Sequence, residues 1–170
     1  MKTRILFGSV LLIAGSLLTA PAVHAEDPKG RWEVKGTLGL ATFPDEDFLH
    51  HFVAGGSTRI YLTRRFGFEP ELQFMYRDRT DSDIVFIPNV TWDFTRRQGR
   101  LQPYAIGGVG FLRHYENYGD WSWAANTWTF GAGFGVKWFL NERVFIAPEV
   151  RLGWEPFLRI SGSVGWILSK

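Results

Sequence analysis

The sequence contains no cysteine, and this absence excludes several kinds of chemistry. Disulfides, zinc–thiolate centres and thiol catalysis all need a cysteine sulfur. A chain of 170 residues can still form one folded domain, because disulfides matter most to very small scaffolds. No sequence motif indicates a bound cofactor or a metal, so we expect neither.

Long apolar runs are also scarce, and the one that exists lies at the start of the chain. Lys2 and Arg4 precede an apolar run over 5–20, and small residues follow it. A basic start, an apolar centre and a small residue at the cleavage site are typical of a secretory signal peptide. We therefore expect a cleaved signal peptide over 1–25 and a folded domain over 26–170. A retained membrane anchor is the alternative, but the run is short for one.

An excess of charge of one sign is lacking once this segment is removed. The whole chain has 19 Lys and Arg against 17 Asp and Glu, and loss of Lys2 and Arg4 leaves 17 of each sign. A neutral domain offers little attraction to a phosphate backbone. We therefore expect no nucleic-acid partner.

Aromatic residues and glycines are abundant: aromatics make up 16% of the chain and include eight Trp, and there are 19 Gly. Beyond the first segment, apolar residues alternate with polar or small ones at a period of two, which indicates half-exposed β-strands. Eight such segments are predicted, over 32–40, 52–63, 67–76, 84–94, 101–111, 128–138, 144–154 and 158–168. They predict an all-β, eight-stranded antiparallel up-and-down transmembrane β-barrel.

The connections between these strands alternate in length. Short turns cover 63–66, 95–100 and 140–143, and connections that are mostly longer or more acidic cover 42–51, 77–83, 113–126 and 153–157. Short periplasmic turns and longer extracellular loops are typical of outer-membrane barrels. A soluble β-sandwich is the alternative, in which the apolar face would form the interior.

Aromatic residues are predicted at two levels of the strands. Those near the short turns are Trp32, Trp92, Trp138 and Trp166, and those near the longer loops are Trp128, Trp154, Phe74, Tyr76, Phe86 and Phe111. Two aromatic girdles separated by aliphatic residues match the two interfaces of a bilayer.

Charged residues occupy the alternate, lumen-facing positions. Five are acidic and five basic: Glu33, Lys35, Arg59, Glu69, Glu71, Asp93, Lys137, Glu149, Arg151 and Arg159. The interior of an eight-stranded barrel is just wide enough for side chains, and buried charges require partners. We therefore expect a lumen plugged by salt bridges, with an ion path as the alternative. Gly131, Gly133 and Gly135 are expected to make room for long side chains.

In this layout the mature chain resembles the small outer-membrane β-barrel families of the OmpX and OmpA transmembrane-domain type. Segments 68–72 and 146–150 each place Pro on the lipid-facing set and Glu on the lumen-facing set. The resemblance implies a bacterial outer-membrane location, with outer-membrane lipid, lipopolysaccharide and the barrel assembly machinery as partners. Family members usually end in an aromatic residue that this machinery reads, whereas this sequence ends in Ser169 and Lys170.

Two classes of function remain open. The first is a non-enzymatic barrel that contributes to envelope integrity or surface interaction. The second is a lipid A-modifying acyl hydrolase or acyltransferase, because His50 and His51 lie in the first predicted outer loop and Ser82 in the second. A His base beside a Ser nucleophile would suit acyl transfer. The His-x-Ser-Asn signature of the lipid A deacylases is absent, however, so we expect no enzyme.

The third predicted outer loop, 113–126, is the candidate interaction surface. Its aromatic residues are Tyr115, Tyr118, Trp121 and Trp123. Exposed rings interleaved with polar groups suit contact with an extracellular protein or glycan. The alternative is that these rings extend the outer girdle into the lipid headgroup zone.

Overall fold

The computed structural model describes residues 28–43, 49–77, 81–95, 97, 99–117, 122–155 and 158–168. The predicted signal peptide, Tyr118 and Trp121 lie outside the described residues. Within these ranges, no helix is long and apolar enough to cross a membrane.

Eight antiparallel strands form a closed barrel in chain order, which confirms the predicted fold class. They are β1 (Trp32–Phe43), β2 (Leu49–Tyr61), β3 (Phe66–Tyr76), β4 (Asp81–Asp93), β5 (Leu101–Asn117), β6 (Ser122–Phe139), β7 (Val144–Trp154) and β8 (Leu158–Ile167). Each strand pairs with its neighbours in sequence, and β1 pairs with β8 to close the sheet. Closure leaves no strand edge exposed to lipid, where unpaired backbone groups would find no water.

Several strands continue further toward the outer end than the alternation predicted. β2 begins at Leu49 and β4 at Asp81, while β5 and β6 remain paired out to Asn117 and Ser122. The predicted loops 42–51, 77–83 and 113–126 are correspondingly too long. Apolar alternation marks only the strand length that faces lipid, whereas backbone pairing continues through polar residues.

The outer face of the barrel is apolar. All ten residues assigned to the girdles project outward, with exposed fractions between 37% and 64%. Phe86, Phe111 and Trp128 are consecutive cross-strand partners near the outer end. The Phe111 and Trp128 ring centroids are 4.3 Å apart. Between the two ends the outward side chains include Leu72, Val90 and other aliphatic residues.

The interior is less polar than the sequence predicted, because two apolar clusters accompany the charges. The cluster toward the outer end contains Ala41, Phe43, Val53, Met75, Val85, Ile87 and Leu112. The other cluster contains Tyr104, Ile106, Phe139, Phe145, Ala147 and Ile167. The guanidinium of Arg97 covers Phe139 at the periplasmic end, 4.0 Å from the ring centroid.

Candidate functional site

The ten charged residues assigned to the lumen all project into the barrel and are at most 6% exposed. Near the periplasmic end, Lys137 Nζ lies 2.6 Å from Glu33 Oε2. The same ammonium donates to the Tyr61 hydroxyl, which in turn donates to Asp93 at 2.7 Å. Arg31, which precedes β1, forms a second ion pair with Glu33 at 2.7 Å.

Glu69 lies at the centre of the charged interior. Its two carboxylate oxygens accept from Lys35 Nζ at 2.6 Å and from Arg59 Nε at 2.5 Å. Arg59 also reaches Asp93, 3.3 Å from Nη1. Two basic groups therefore compensate the charge of one fully buried carboxylate.

A third group of charges lies nearer the outer end. Arg151 bridges Glu71 at 2.8 Å and Glu149 at 2.6 Å. Arg159 spans the same two carboxylates at 3.2 Å and 3.0 Å. The Tyr104 hydroxyl donates to Glu149 at 2.7 Å, which links this group to the interior below it. Each of the ten side chains thus has a partner of opposite charge, and we call these ten residues the lumen network.

Two of the three glycines predicted to make room lie against large side chains. A Cβ on Gly133 would approach Arg151 Cγ to 2.7 Å, and one on Gly135 would approach the Tyr104 ring to 2.5 Å. The large neighbour of Gly135 is therefore a tyrosine and not a charged residue. Gly131 is different, because only a backbone oxygen of Leu152, at 3.5 Å, comes near.

Several polar members of this interior were not predicted from the sequence. Arg31, Tyr61, Gln73, Asn89, Gln102 and Tyr104 are all buried and hydrogen-bonded to charged residues of the interior. Five of the six occupy the alternate, lumen-facing positions of their strands, so this alternation was the signal that could have identified them. Arg31 lies just outside β1, where alternation carries no information.

A separate polar group lies at the outer mouth of the barrel, and we call it the mouth cluster: His51, Asp81, Asp83 and His114. His51 Nε2 is 3.1 Å from Asp81 Oδ2 and 3.9 Å from Asp83 Oδ2. His114 Nδ1 is 2.6 Å from Asp83 Oδ1 and 3.8 Å from Asp81 Oδ1. The cluster joins β2, β4 and β5, and the first three members are buried. A cavity of about 200 Å³ adjoins it.

His114 lies near the outer end of β5. It is three residues beyond Phe111, or about 10 Å along the strand.

Comparison with known proteins places the chain in a family. A family model of the outer membrane protein beta-barrel domain matches residues 10–155. The chain belongs to this family. It is therefore a protein of the bacterial outer membrane, as the predicted layout implied. No curated protein matches the sequence.

Solved structures share the fold of this outer membrane protein beta-barrel domain at low sequence identity. The N-terminal β-barrel domain of Pseudomonas aeruginosa OprF is 17% identical, with a TM-score of 0.68 over 82% of this chain and 98% of that one. Neisserial surface protein A is 14% identical, with a TM-score of 0.64 over 80% and 95%. The attachment invasion locus protein Ail of Yersinia pestis is 7% identical, with a TM-score of 0.53 over 82% and 97%.

In this outer-membrane barrel, the residues considered for acyl transfer do not come together. His51 and Ser82 were expected in neighbouring loops, but both lie in strands and project to opposite faces. His51 faces inward and contacts Asp81 and Asp83. His50 faces outward, as does Ser82, but β3 lies between their strands.

Of the aromatic residues in the third predicted loop, the two that the structure describes also separate. Tyr115 and Trp123 belong to the paired ends of β5 and β6. Tyr115 projects outward and is 44% exposed. Trp123 lies on the mouth side, where it lines the cavity and its ring centroid is 6.1 Å from that of His114. The predicted surface is therefore divided between two faces of one hairpin.

Proposed function

We propose that this outer-membrane barrel is a non-enzymatic protein that supports envelope integrity, with a lumen closed to solutes. The observation that carries the proposal is the lumen network, in which ten buried charges are paired across the barrel. The contacts link strands on opposite sides of the barrel, as from Glu71 on β3 to Arg151 on β7.

Closure follows from the energetics of buried charge. The interior of an eight-stranded barrel has room for its own side chains and little else. An ion that crossed it would have to separate pairs such as Lys35 and Glu69, leaving charges without partners in a medium of low dielectric constant. Breaking one buried pair costs about 3–5 kcal/mol. The lumen network therefore favours a closed barrel over a conducting one.

The outer rim supplies the surface contact in this proposal. Arg113 and Tyr115 project outward on β5, above the ring of Phe111. A guanidinium and a phenol at this level suit the phosphates and sugars of lipopolysaccharide. Two of the structural neighbours are named a surface protein and an attachment invasion locus protein, which agrees with a role at the cell surface.

Planar-bilayer recording tests closure. The purified wild-type barrel is expected to show no sustained channel. Arg151→Ser combined with Arg159→Ser removes two long side chains from the lumen network, and this variant is expected to conduct more than the wild type. Reproducible large single-channel steps in the wild type would refute the closed lumen.

A deletion strain tests the role in the envelope. Loss of the protein is expected to increase sensitivity to detergents and large antibiotics, and expression of the wild type is expected to restore resistance. Arg113→Ala combined with Tyr115→Ala is expected to restore it only in part, whereas His50→Ala serves as an outward-facing control. An unchanged barrier in the deletion strain would contradict the proposal.

A further inference from the structure

The mouth cluster is built from residue types that bind transition metals. It contains two imidazoles and two carboxylates, and these come from three different strands. One potential ligand atom each from His51, Asp81 and Asp83 lies within 4.8 Å of the others. Imidazole nitrogen and carboxylate oxygen are both ordinary ligands of Zn²⁺.

The distances within the cluster are close to those of a tetrahedral site. Donors bonded to Zn²⁺ at 2.0–2.2 Å lie roughly 3.3 Å from one another. His51 Nε2 is 3.1 Å from Asp81 and 3.9 Å from Asp83, and Asp81 is 3.8 Å from His114 Nδ1. The 2.6 Å contact between His114 and Asp83 would have to lengthen, and the wider separations, up to 4.8 Å among His51, Asp81 and Asp83, would have to shorten. Small side-chain movements are therefore enough to enclose an ion.

Asp81 provides an independent indication that the cluster lacks a partner. Its side chain is about nine-tenths buried, yet Oδ1 makes no hydrogen bond within the described part of the chain. This oxygen faces the cluster, 3.8 Å from His114 Nδ1. An acceptor that is both buried and unpartnered is costly, and a bound cation would relieve that cost.

Glu116 orients one of the two imidazoles. Its carboxylate lies 3.3 Å from His114 Nε2, which leaves Nδ1 directed at Asp83. A carboxylate that holds the second ring nitrogen of a histidine is the usual outer partner of a metal ligand. Arg77 is the competing cation, with Nη1 3.6 Å from Asp81 Oδ2, but its side chain is 37% exposed.

We propose that the mouth cluster is a Zn²⁺-class metal site, with His51 Nε2, His114 Nδ1 and the carboxylates of Asp81 and Asp83 as ligands. The ion ties together the outer ends of β2, β4 and β5. The adjoining cavity of about 200 Å³ has room for a water at any remaining coordination position. The site lies above the lumen network and is independent of whether the lumen conducts.

Titration calorimetry of the purified full-length barrel in detergent, stripped with a chelator, tests the site with Zn²⁺ alone. The wild type is expected to bind one ion. His51→Ala and His114→Ala each remove a direct ligand and are expected to weaken binding about 100-fold or more, since loss of outer partners alone costs about 10–100-fold. His114 is partly exposed, so His114→Ala keeps the test valid if the more buried His51→Ala fails to fold.

His50→Ala is the matched control, because His50 is adjacent to His51 in β2 and faces outward. It is expected to bind Zn²⁺ as the wild type does. Magnetic resonance of the imidazole rings supplies a second readout, in which Zn²⁺ shifts the signals of His51 and His114 but not those of His50. Absence of Zn²⁺ binding in the wild type would overturn the proposal. Unchanged binding in both ligand variants would also overturn it.

Discussion

The lumen network and the mouth cluster are both polar groups inside the same barrel, but their charges are balanced differently. In the network, permanent cations face carboxylates, as Arg59 faces Glu69. In the mouth cluster, two carboxylates face two imidazoles whose charge depends on protonation. In the mouth cluster, a buried carboxylate oxygen of Asp81 has no hydrogen-bond partner in the described part of the chain. In the lumen network, the buried side-chain atoms without a partner are guanidinium nitrogens of Arg59 and Arg159.

This difference separates a structural role from a binding role. A network that supplies its own counter-charges gains nothing from a ligand and serves to hold strands together. A cluster with a spare buried acceptor and few permanent cations favours the entry of a cation. The four predictions below test this comparison, from the largest expected effect to the smallest.

The largest effect is expected from Glu69→Ala. This change leaves Lys35 and Arg59 without their shared carboxylate in a buried site, and it should lower the free energy of unfolding by about 3–5 kcal/mol. Urea unfolding in lipid vesicles measures the loss. Glu116→Ala at the mouth is the matched change and should cost about 0–1 kcal/mol, because its ion pair is partly exposed. Equal losses would remove the distinction between the two regions.

A charged residue on the lipid-facing surface should lower the free energy of unfolding nearly as much. Val90→Arg places a charge on an outward position that is 54% exposed, and it should destabilise the barrel by about 2–4 kcal/mol. Val136→Arg is expected to act alike. In the lumen, Ser161→Arg should cost less, because residue 161 lies opposite Glu149 in the register of β7 and β8. Similar losses on both faces would mean that the inward and outward sets are misassigned.

Zn²⁺ should stabilise the mouth by a smaller amount. At a free concentration 100 times Kd, a single bound ion raises the free energy of unfolding by about 2.7 kcal/mol. The temperature at which the folded band disappears in a heat-modifiability gel should therefore rise for the wild type and for Glu69→Gln. It should not rise for His114→Ala. An equal rise in that variant would place the ion elsewhere.

No effect is expected on lipid A. His51 faces the lumen and Ser82 faces outward, so the pair lacks the hydrogen bond that general-base catalysis needs. Mass spectrometry should find the same acyl number with and without the protein. A change in acyl number that Ser82→Ala abolishes would establish the enzymatic alternative.

Much of the fold was predictable from the sequence because the side chains of a membrane strand face lipid and lumen in alternation. Leu72 and Val90 face lipid while Glu71 and Asn89 face inward, so one-residue alternation assigns both faces. The strand ends were less predictable, since β5 and β6 continue as a polar hairpin in which Glu116 pairs with Trp123. Hydrogen bonding of the backbone sustains this extension without an apolar pattern.

The sequence alone determined the all-β class, the number of strands and the inward parity of the charged residues, because each follows from local alternation and turn spacing. It did not determine which charges pair. Glu71 and Arg159 are 3.2 Å apart only because closure of the barrel brings β8 near β3. The mouth cluster depends even more on tertiary structure. His51, Asp83 and His114 are far apart in sequence. The register of β4 and β5 places Asp83 opposite His114, and the closed sheet brings His51 of β2 within 3.9 Å of Asp83.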